Sequence, residues 1–335
     1  MTRRRKIGAA VAGAFVLCWI VGAFYQTYAE SADGDAFPPP GLLVDVGGTR
    51  LHLDCRGEGW PVVILEAGLT SASTSWVLVH DAMAAQTRVC AYDRPGLDWS
   101  EPIEGTAGPV AIAQRLRDVL DAAGIAGPYV LVGMSAGGVY VREYFAQFPE
   151  GVVGMVLVDS SHEAQADRLE PIDDPGPIDQ ETLLAICRVL QPFGWVRASG
   201  YLDSVIDERL PRGMPHEAVG VMKANMNRSH ACRAIGLEIE SFHSALADPR
   251  EPRSLGDLPL LVLSQGKPPV ALDELGLSLE NARARRAVWD GLQMELAALS
   301  SRGERRVALD SGHVIQIDQP ALVIEAVGDM VRGVR

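Results

Sequence analysis

The chain has 335 residues, 47% of them apolar, enough to bury a substantial core as one large domain or a domain with an insertion, so disorder is not the default reading. The formal net charge is -13. Arg3, Arg4, Arg5 and Lys6 meet no acidic residue within the first 25 positions, so the remainder is more acidic still, which argues against nucleic acid or anionic lipid as a partner of the folded part.

The four cations precede Ile7 to Phe24, an uncharged apolar run long enough to cross a bilayer as a helix, with Trp19, Tyr25 and Tyr28 toward its outer end. The positive-inside rule places the N-terminus in the cytoplasm and everything after about residue 28 across the membrane. Two readings fit residues 1–28: an uncleaved anchor, or a signal segment cut near Ala29 or Ala32. The length of the run and the lack of a clean A-x-A site favour the anchor, and both readings export the rest of the chain. Residues 29–41, containing "ESADGDAFPPPG", are polar and proline-rich and read as a linker. Cys18 lies in the apolar run, which leaves Cys55, Cys90, Cys187 and Cys232 for an oxidising compartment.

From Leu42 onward strand and helix patterns alternate. "LLVDV" and "RLHLDC" form a hairpin about Gly47-Gly48, where paired glycines tolerate the turn's positive φ. The run "PVVILEAG" has the continuous apolar character of a buried parallel strand, followed by the helical "WVLVHDAMAA", the strand "RVCAYD" and the amphipathic helix "VAIAQRLRDVLDAAG". "YVLVGMS", "AGGVYVREYFAQF" and "VVGMVLVD" continue as strand, helix, strand. Residues 161–255 break this rhythm with helical segments and no strand pattern. Alternation resumes with "LPLLVLSQG", a helix over about Asn281 to Leu299, "RRVALD" and a closing helix from Ala321 to Val331. The expected class is therefore α/β: a mostly parallel eight-stranded sheet flanked by helices, with core segments 42–160 and 256–335 and a helical cap over 161–255.

Within the fifth strand-to-helix junction, Gly133-Met134-Ser135-Ala136-Gly137 fits G-x-S-x-G, the nucleophile elbow. Side chains at the flanking glycines would collide with the neighbouring strand or helix, and the turn presents the serine at the sheet's C-terminal edge. The amide of Ala136 then lies at a helix N-terminus, where the dipole stabilises an oxyanion. A serine needs a base, and "VALDSGHVIQIDQP" supplies His313 after the last strand.

Four motifs in order, "LEAGLTS", "YDRPGLDWS", "GMSAGG" and "SGHVIQIDQP", resemble the α/β-hydrolase fold superfamily, Ser-His-acid branch, over roughly residues 42 to 332. The resemblance implies a second oxyanion donor in the loop after the third strand, assigned to Leu69, although Glu66-Ala67-Gly68 replaces the usual His-Gly. It implies a triad acid, for which Asp159 at the end of the sixth strand is preferred to Asp273 in the loop after the seventh, because a strand end fixes a side chain better than a proline-rich loop. Asp93 and Arg94 read as residues that hold the loop after the fourth strand. The family's strand order sets the second strand beside the fourth, which implies a Cys55–Cys90 disulfide, with Cys187–Cys232 a second within the cap.

These readings imply a cofactor-free serine hydrolase that cleaves carboxylic esters through an acyl-enzyme, with an amidase or aminopeptidase, or a non-catalytic binding protein of the same fold, as alternatives. No phosphate loop, dinucleotide fingerprint or metal-ligand spacing is present in the sequence. The expected partners are a small ester or amide and, through residues 1–28, a membrane.

Overall fold

The computed structural model describes residues 3–105, 107–169, 180–209, 213–247, 252–270 and 278–335. A long helix α1 (Arg3–Ala36) leads into strands β1 (Leu42–Val46), β2 (Thr49–Arg56) and β3 (Val62–Glu66). There follow a 3-10 turn (Ser73–Trp76), α2 (Val77–Ala84), β4 (Val89–Tyr92), α3 (Pro109–Ala122), β5 (Tyr129–Met134), α4 (Ala136–Gln147) and β6 (Val152–Val158). Then come α5 (Gln165–Leu169), α6 (Gln180–Leu190), a second 3-10 turn (Gln191–Phe193), α7 (Trp195–Ser199), α8 (Tyr201–Arg209), α9 (His216–Met226) and α10 (Ala231–Leu246). The chain closes with β7 (Leu260–Gln265), α11 (Leu279–Ala297), β8 (Gly303–Ala308), α12 (Ile315–Asp318) and α13 (Pro320–Gly333).

The eight strands form one sheet in the order β1-β2-β4-β3-β5-β6-β7-β8. The β1–β2 and β2–β4 pairs are antiparallel and the remaining neighbours parallel. Strand periodicity sends alternate residues to opposite faces. Val62, Ile64, Tyr129 and Leu131 join one core with α3 and α4, whereas Val63, Leu65, Val130 and Val132 join the other with α2 and α13. The β1–β2 hairpin turns on Gly47 and Gly48 at φ 64° and 90°. Cys55 and Cys90 are register partners on β2 and β4 and are disulfide-bonded, and a second disulfide, Cys187–Cys232, ties α6 to α10.

Among the described residues, 161–255 contain helices and no strand. Helix α10 seats this cap on the core: Phe242 meets Tyr140 edge to face with ring centroids 5.9 Å apart, and Ile235 packs with Leu97.

The segment 29–41, expected as a linker, is helical as far as Ala36. Polar side chains in and just before this segment find partners in the cap, which a reading of local composition does not register. Gln26 donates to the Asn227 carbonyl at 2.6 Å, Glu30 accepts from the Ser229 amide, and Asp33 pairs with Arg197 at 2.7 Å. The helix stops ahead of Pro38-Pro39-Pro40, since a residue before proline is driven out of the helical region.

Candidate active site

Met134 and Val158 are the last registered pair of β5 and β6, so Ser135 and Asp159 leave the sheet side by side. Both carry positive φ, 52° at Ser135 and 44° at Asp159, conformations that cost a non-glycine residue about 1–3 kcal/mol and persist only where surroundings enforce them. The enforcement is visible in the backbone bonds. Ser135 N–H donates to the Val158 carbonyl at 3.1 Å, the Ser135 carbonyl accepts from Gly138 and Ser161, each at 2.9 Å, and Asp159 N–H donates to Leu263 on β7 at 2.7 Å. The bend also explains the glycines. A Cβ at Gly133 would lie 2.5 Å from the Gly137 carbonyl oxygen, and one at Gly137 would lie 2.5 Å from that of Glu66.

His313 follows β8 and reaches back over the sheet's edge. Its Nδ1 lies 2.6 Å from Asp159 Oδ2 and its Nε2 lies 3.0 Å from Ser135 Oγ. An ionised carboxylate can only accept, so Nδ1 carries the proton and Nε2 is left to accept from the serine hydroxyl. The Asp159 side chain is fully buried while that of His313 is 44% exposed, so the charge is shielded and the imidazole faces an approaching molecule. The second carboxylate oxygen, Oδ1, accepts from the Gln265 amide at 2.9 Å and from the Trp289 indole at 3.0 Å. Trp289 also meets the His313 ring edge to face at 5.9 Å. Sequence reasoning misses Trp289, because nothing in the helical pattern of α11 distinguishes it; only the packing of α11 across β7 brings it here. Asp273, the other acid considered, and its neighbour Glu274 lie outside the described residues.

Ala136 opens the twelve-residue α4, and its amide stands at the helix's positive end. Gly68 abuts the serine: a Cβ there would come within 3.3 Å of Ser135 Cβ and 2.8 Å of Met134 Sδ. Leu69 packs on the apolar cluster that contains Ala136, so the loop after β3 and the start of α4 flank Ser135 together.

Arg94 ties this loop down. It donates to the backbone carbonyls of Ala67 (3.0 Å), Gly68 (2.6 Å) and Ser71 (2.8 Å), and to the carboxylates of Glu66 (2.5 Å) and Glu238 (3.0 Å). Tyr92 O–H donates to the other Glu66 oxygen at 2.6 Å. Two buried carboxyls thus share one guanidinium. Burial, outweighing the pull of Arg94 and Tyr92, pushes Glu66 up to about 7. Burial alone would lower Arg94, yet the charges of Glu238 and Glu66 prevail and hold it above its ordinary value. Glu238 lies on α10, so the same ion pair fastens the cap to the loop beside the serine. Asp93 faces away: it accepts from His52 Nδ1 at 2.7 Å and from the Ser73 amide at 2.8 Å, pinning the start of the next turn. Among the described residues, no group of three or more His, Cys, Asp or Glu side chains is placed to hold a metal ion.

Comparison with known proteins places this arrangement. An uncharacterized protein of Schizosaccharomyces pombe is 25% identical over 333 residues, covering 89% of this chain, which spans only 57% of that protein's length. An AB hydrolase superfamily protein of Gibberella zeae is 26% identical over 328 residues, covering 91% of this chain and 95% of its own. Among solved structures, a thermophilic esterase of Thermogutta terrifontis superposes with a TM-score of 0.55 at 20% identity, covering 88% of this chain and 97% of the esterase, a likeness of fold. Residues 62–326 match the sequence model of the alpha/beta hydrolase family. With the eight-stranded sheet and its order, this match establishes that the chain belongs to the alpha/beta hydrolase family.

Proposed function

We propose that this protein is a serine hydrolase that cleaves carboxylic esters through an acyl-enzyme, with Ser135 as nucleophile, His313 as general base, Asp159 as the acid behind it, and the amides of Leu69 and Ala136 as the oxyanion hole. The observation that carries the reading is the continuous hydrogen-bonded chain from Ser135 Oγ through His313 to the buried Asp159 carboxylate, at 3.0 and 2.6 Å.

In this mechanism His313 Nε2 takes the serine proton as Oγ attacks the ester carbonyl. Asp159 stabilises the imidazolium that forms, and the two amides receive the tetrahedral oxyanion. Collapse of the intermediate expels the alcohol, which takes the proton from His313. Water, deprotonated by the same nitrogen, then attacks the acyl-serine to release the acid and restore the hydroxyl. Each step uses one proton carrier and one pair of fixed donors, so no cofactor is required by the chemistry.

Display outside the cytoplasm belongs to the same proposal. Helix α1 carries basic residues at its start and a stretch of mean hydropathy 2.2 with none of it buried, and the two disulfides suit an oxidising compartment. The decisive experiment combines fluorophosphonate labelling with a panel of chromogenic esters and aminoacyl amides. Labelling of the wild type, its loss in Ser135→Ala, and turnover of esters over amides is the expected outcome. A folded wild type that neither labels nor turns over would overturn the hydrolase reading in favour of a binding role, and turnover confined to amides would overturn the ester assignment.

A further inference from the structure

The apolar run of α1 ends inside the cap's grip. From Ile7 to Phe24 a helix rises about 27 Å, close to the roughly 30 Å of a bilayer's hydrocarbon core. Trp19, about 7 Å short of the outer end of that run, meets Phe193 of the cap with ring centroids 4.4 Å apart. Gly22 lies against the Phe193 carbonyl with no room for a Cβ, and Tyr25 packs on Gly194. Over the next two turns, Gln26, Glu30 and Asp33 make the bonds to Asn227, Ser229 and Arg197 already described. The helix is thereby fixed to the cap over four turns, and Phe193 is held at the depth of Trp19.

Helix α6, which runs into Phe193, is apolar on the wrong side for a solvated helix. Leu184 packs inward and Cys187 is tied by its disulfide to α10, whereas Leu183, Ile186 and Val189, three residues apart, point outward, with Ile186 and Val189 50% and 58% exposed. Trp195, two residues beyond Phe193, is 43% exposed. Between α1 and the cap runs a groove of about 510 Å³ walled by Phe15, Trp19, Phe24 and Phe193. A solvent-facing helix places polar residues at such positions. An exposed apolar face of this kind marks a contact with a partner or a membrane, and beside a helix that spans the bilayer the lipid is the partner at hand.

We infer that the outer face of α6, together with Phe193 and Trp195, is set into the outer leaflet of the bilayer, so that the cap and not only α1 contacts lipid. The occupant of the face is bilayer hydrocarbon, because α1 holds Phe193, three residues beyond the end of α6, at the depth of Trp19 inside the apolar run. The inference rests on the reading that α1 spans the membrane, and it is independent of which ester is cleaved.

The test uses the full chain reconstituted in phosphatidylcholine nanodiscs. An environment-sensitive fluorophore is attached in turn to native Cys18, which lies in the apolar run, and, in a Cys18→Ser background, to Val189→Cys, Ile186→Cys and, as an aqueous reference, Met294→Cys on α11. Emission is quenched either by a nitroxide on the lipid acyl chain or by iodide in the buffer. The expected result is that the labels at 186 and 189 lose emission to the lipid nitroxide to the same extent as the label at Cys18, while the label at 294 responds to iodide alone. Lipid quenching at Cys18 with iodide quenching at 186 and 189 overturns the inference and leaves the anchor standing. Absence of lipid quenching at all sites overturns the anchor and the inference together. Protection of 186 and 189 from both quenchers means that a second copy of the chain covers the face, which also overturns it.

Discussion

The indole N–H of Trp289 donates at 3.0 Å to Oδ1 of Asp159, the oxygen of that carboxylate which His313 leaves free. A neutral donor to a charged acceptor contributes about 1.5–3 kcal/mol, and here it also fixes the plane of the carboxylate toward the imidazole. Trp289→Phe keeps an aromatic edge against His313 but removes the donor. Steady-state kinetics on a soluble ester should show kcat reduced by roughly tenfold with KM little changed, since the lost interaction acts on the transition state more than on substrate binding. A change confined to KM would contradict the positioning role.

The identity of the acid is decided by comparing Asp159→Asn with Asp273→Asn. An amide at 159 would offer an N–H or a neutral oxygen to His313 and disturb the tautomer that leaves Nε2 free, and if the proposed triad operates this should cost on the order of 10⁴-fold in kcat. Asp273→Asn should retain wild-type turnover. The reverse pattern would move the acid to the loop after β7.

Relief of the backbone at Ser135 should be measurable as stability. Ser135 sits at φ 52° and ψ -123°. Ser135→Gly should therefore be inactive but more resistant to urea by about 1 kcal/mol, the strain removed being partly offset by the greater freedom of glycine in the unfolded chain. A midpoint unchanged or lowered relative to Ser135→Ala would show that the turn stores no strain.

Glu66 gives the fold a pH dependence of known sign. Its folded value is raised to about 7 from the ordinary 4.5. The native state therefore binds the proton more tightly than the unfolded chain. Stability is highest below about pH 4.5 as far as this group is concerned, declines as pH rises from there to about 7, and is flat above, with a total change on the order of 1–3 kcal/mol. Urea titrations at a series of pH values should show that slope in the wild type and its reduction in Glu66→Gln, whose side chain stays neutral and can still accept from Arg94. An equal slope in both proteins would assign the effect to other groups.

What could be read from the chain follows from where each signal resides. Ser135 and His313 carry local marks, a glycine-bounded junction and a position after the last strand, and strand register then decides their distance. Asp159 is readable as the residue that ends an apolar strand, because a sheet holds its strand ends in fixed places. The Cys55–Cys90 bond is implied by the strand order of the family the chain resembles, and the register of β2 against β4 makes the two residues partners. Trp289 is 130 residues from Asp159 in sequence and sits on a helix whose surface pattern gives it no distinction. The continuation of α1 through Ala36 is hidden for the same reason. Residues 30–36 have the composition of a linker, and the partners that keep them helical, Arg197 and Ser229, lie far along the chain in the cap.

A helix that continues without a break from its apolar run into bonded contact with the cap allows the folded domain no swivel. A slack leash would let the domain tumble and sample every orientation; a clamped stalk makes it share the tilt and rotation of whatever medium holds α1. The exposed imidazole of His313 then keeps one bearing relative to the stalk, and molecules meet it from a direction that the stalk has already chosen.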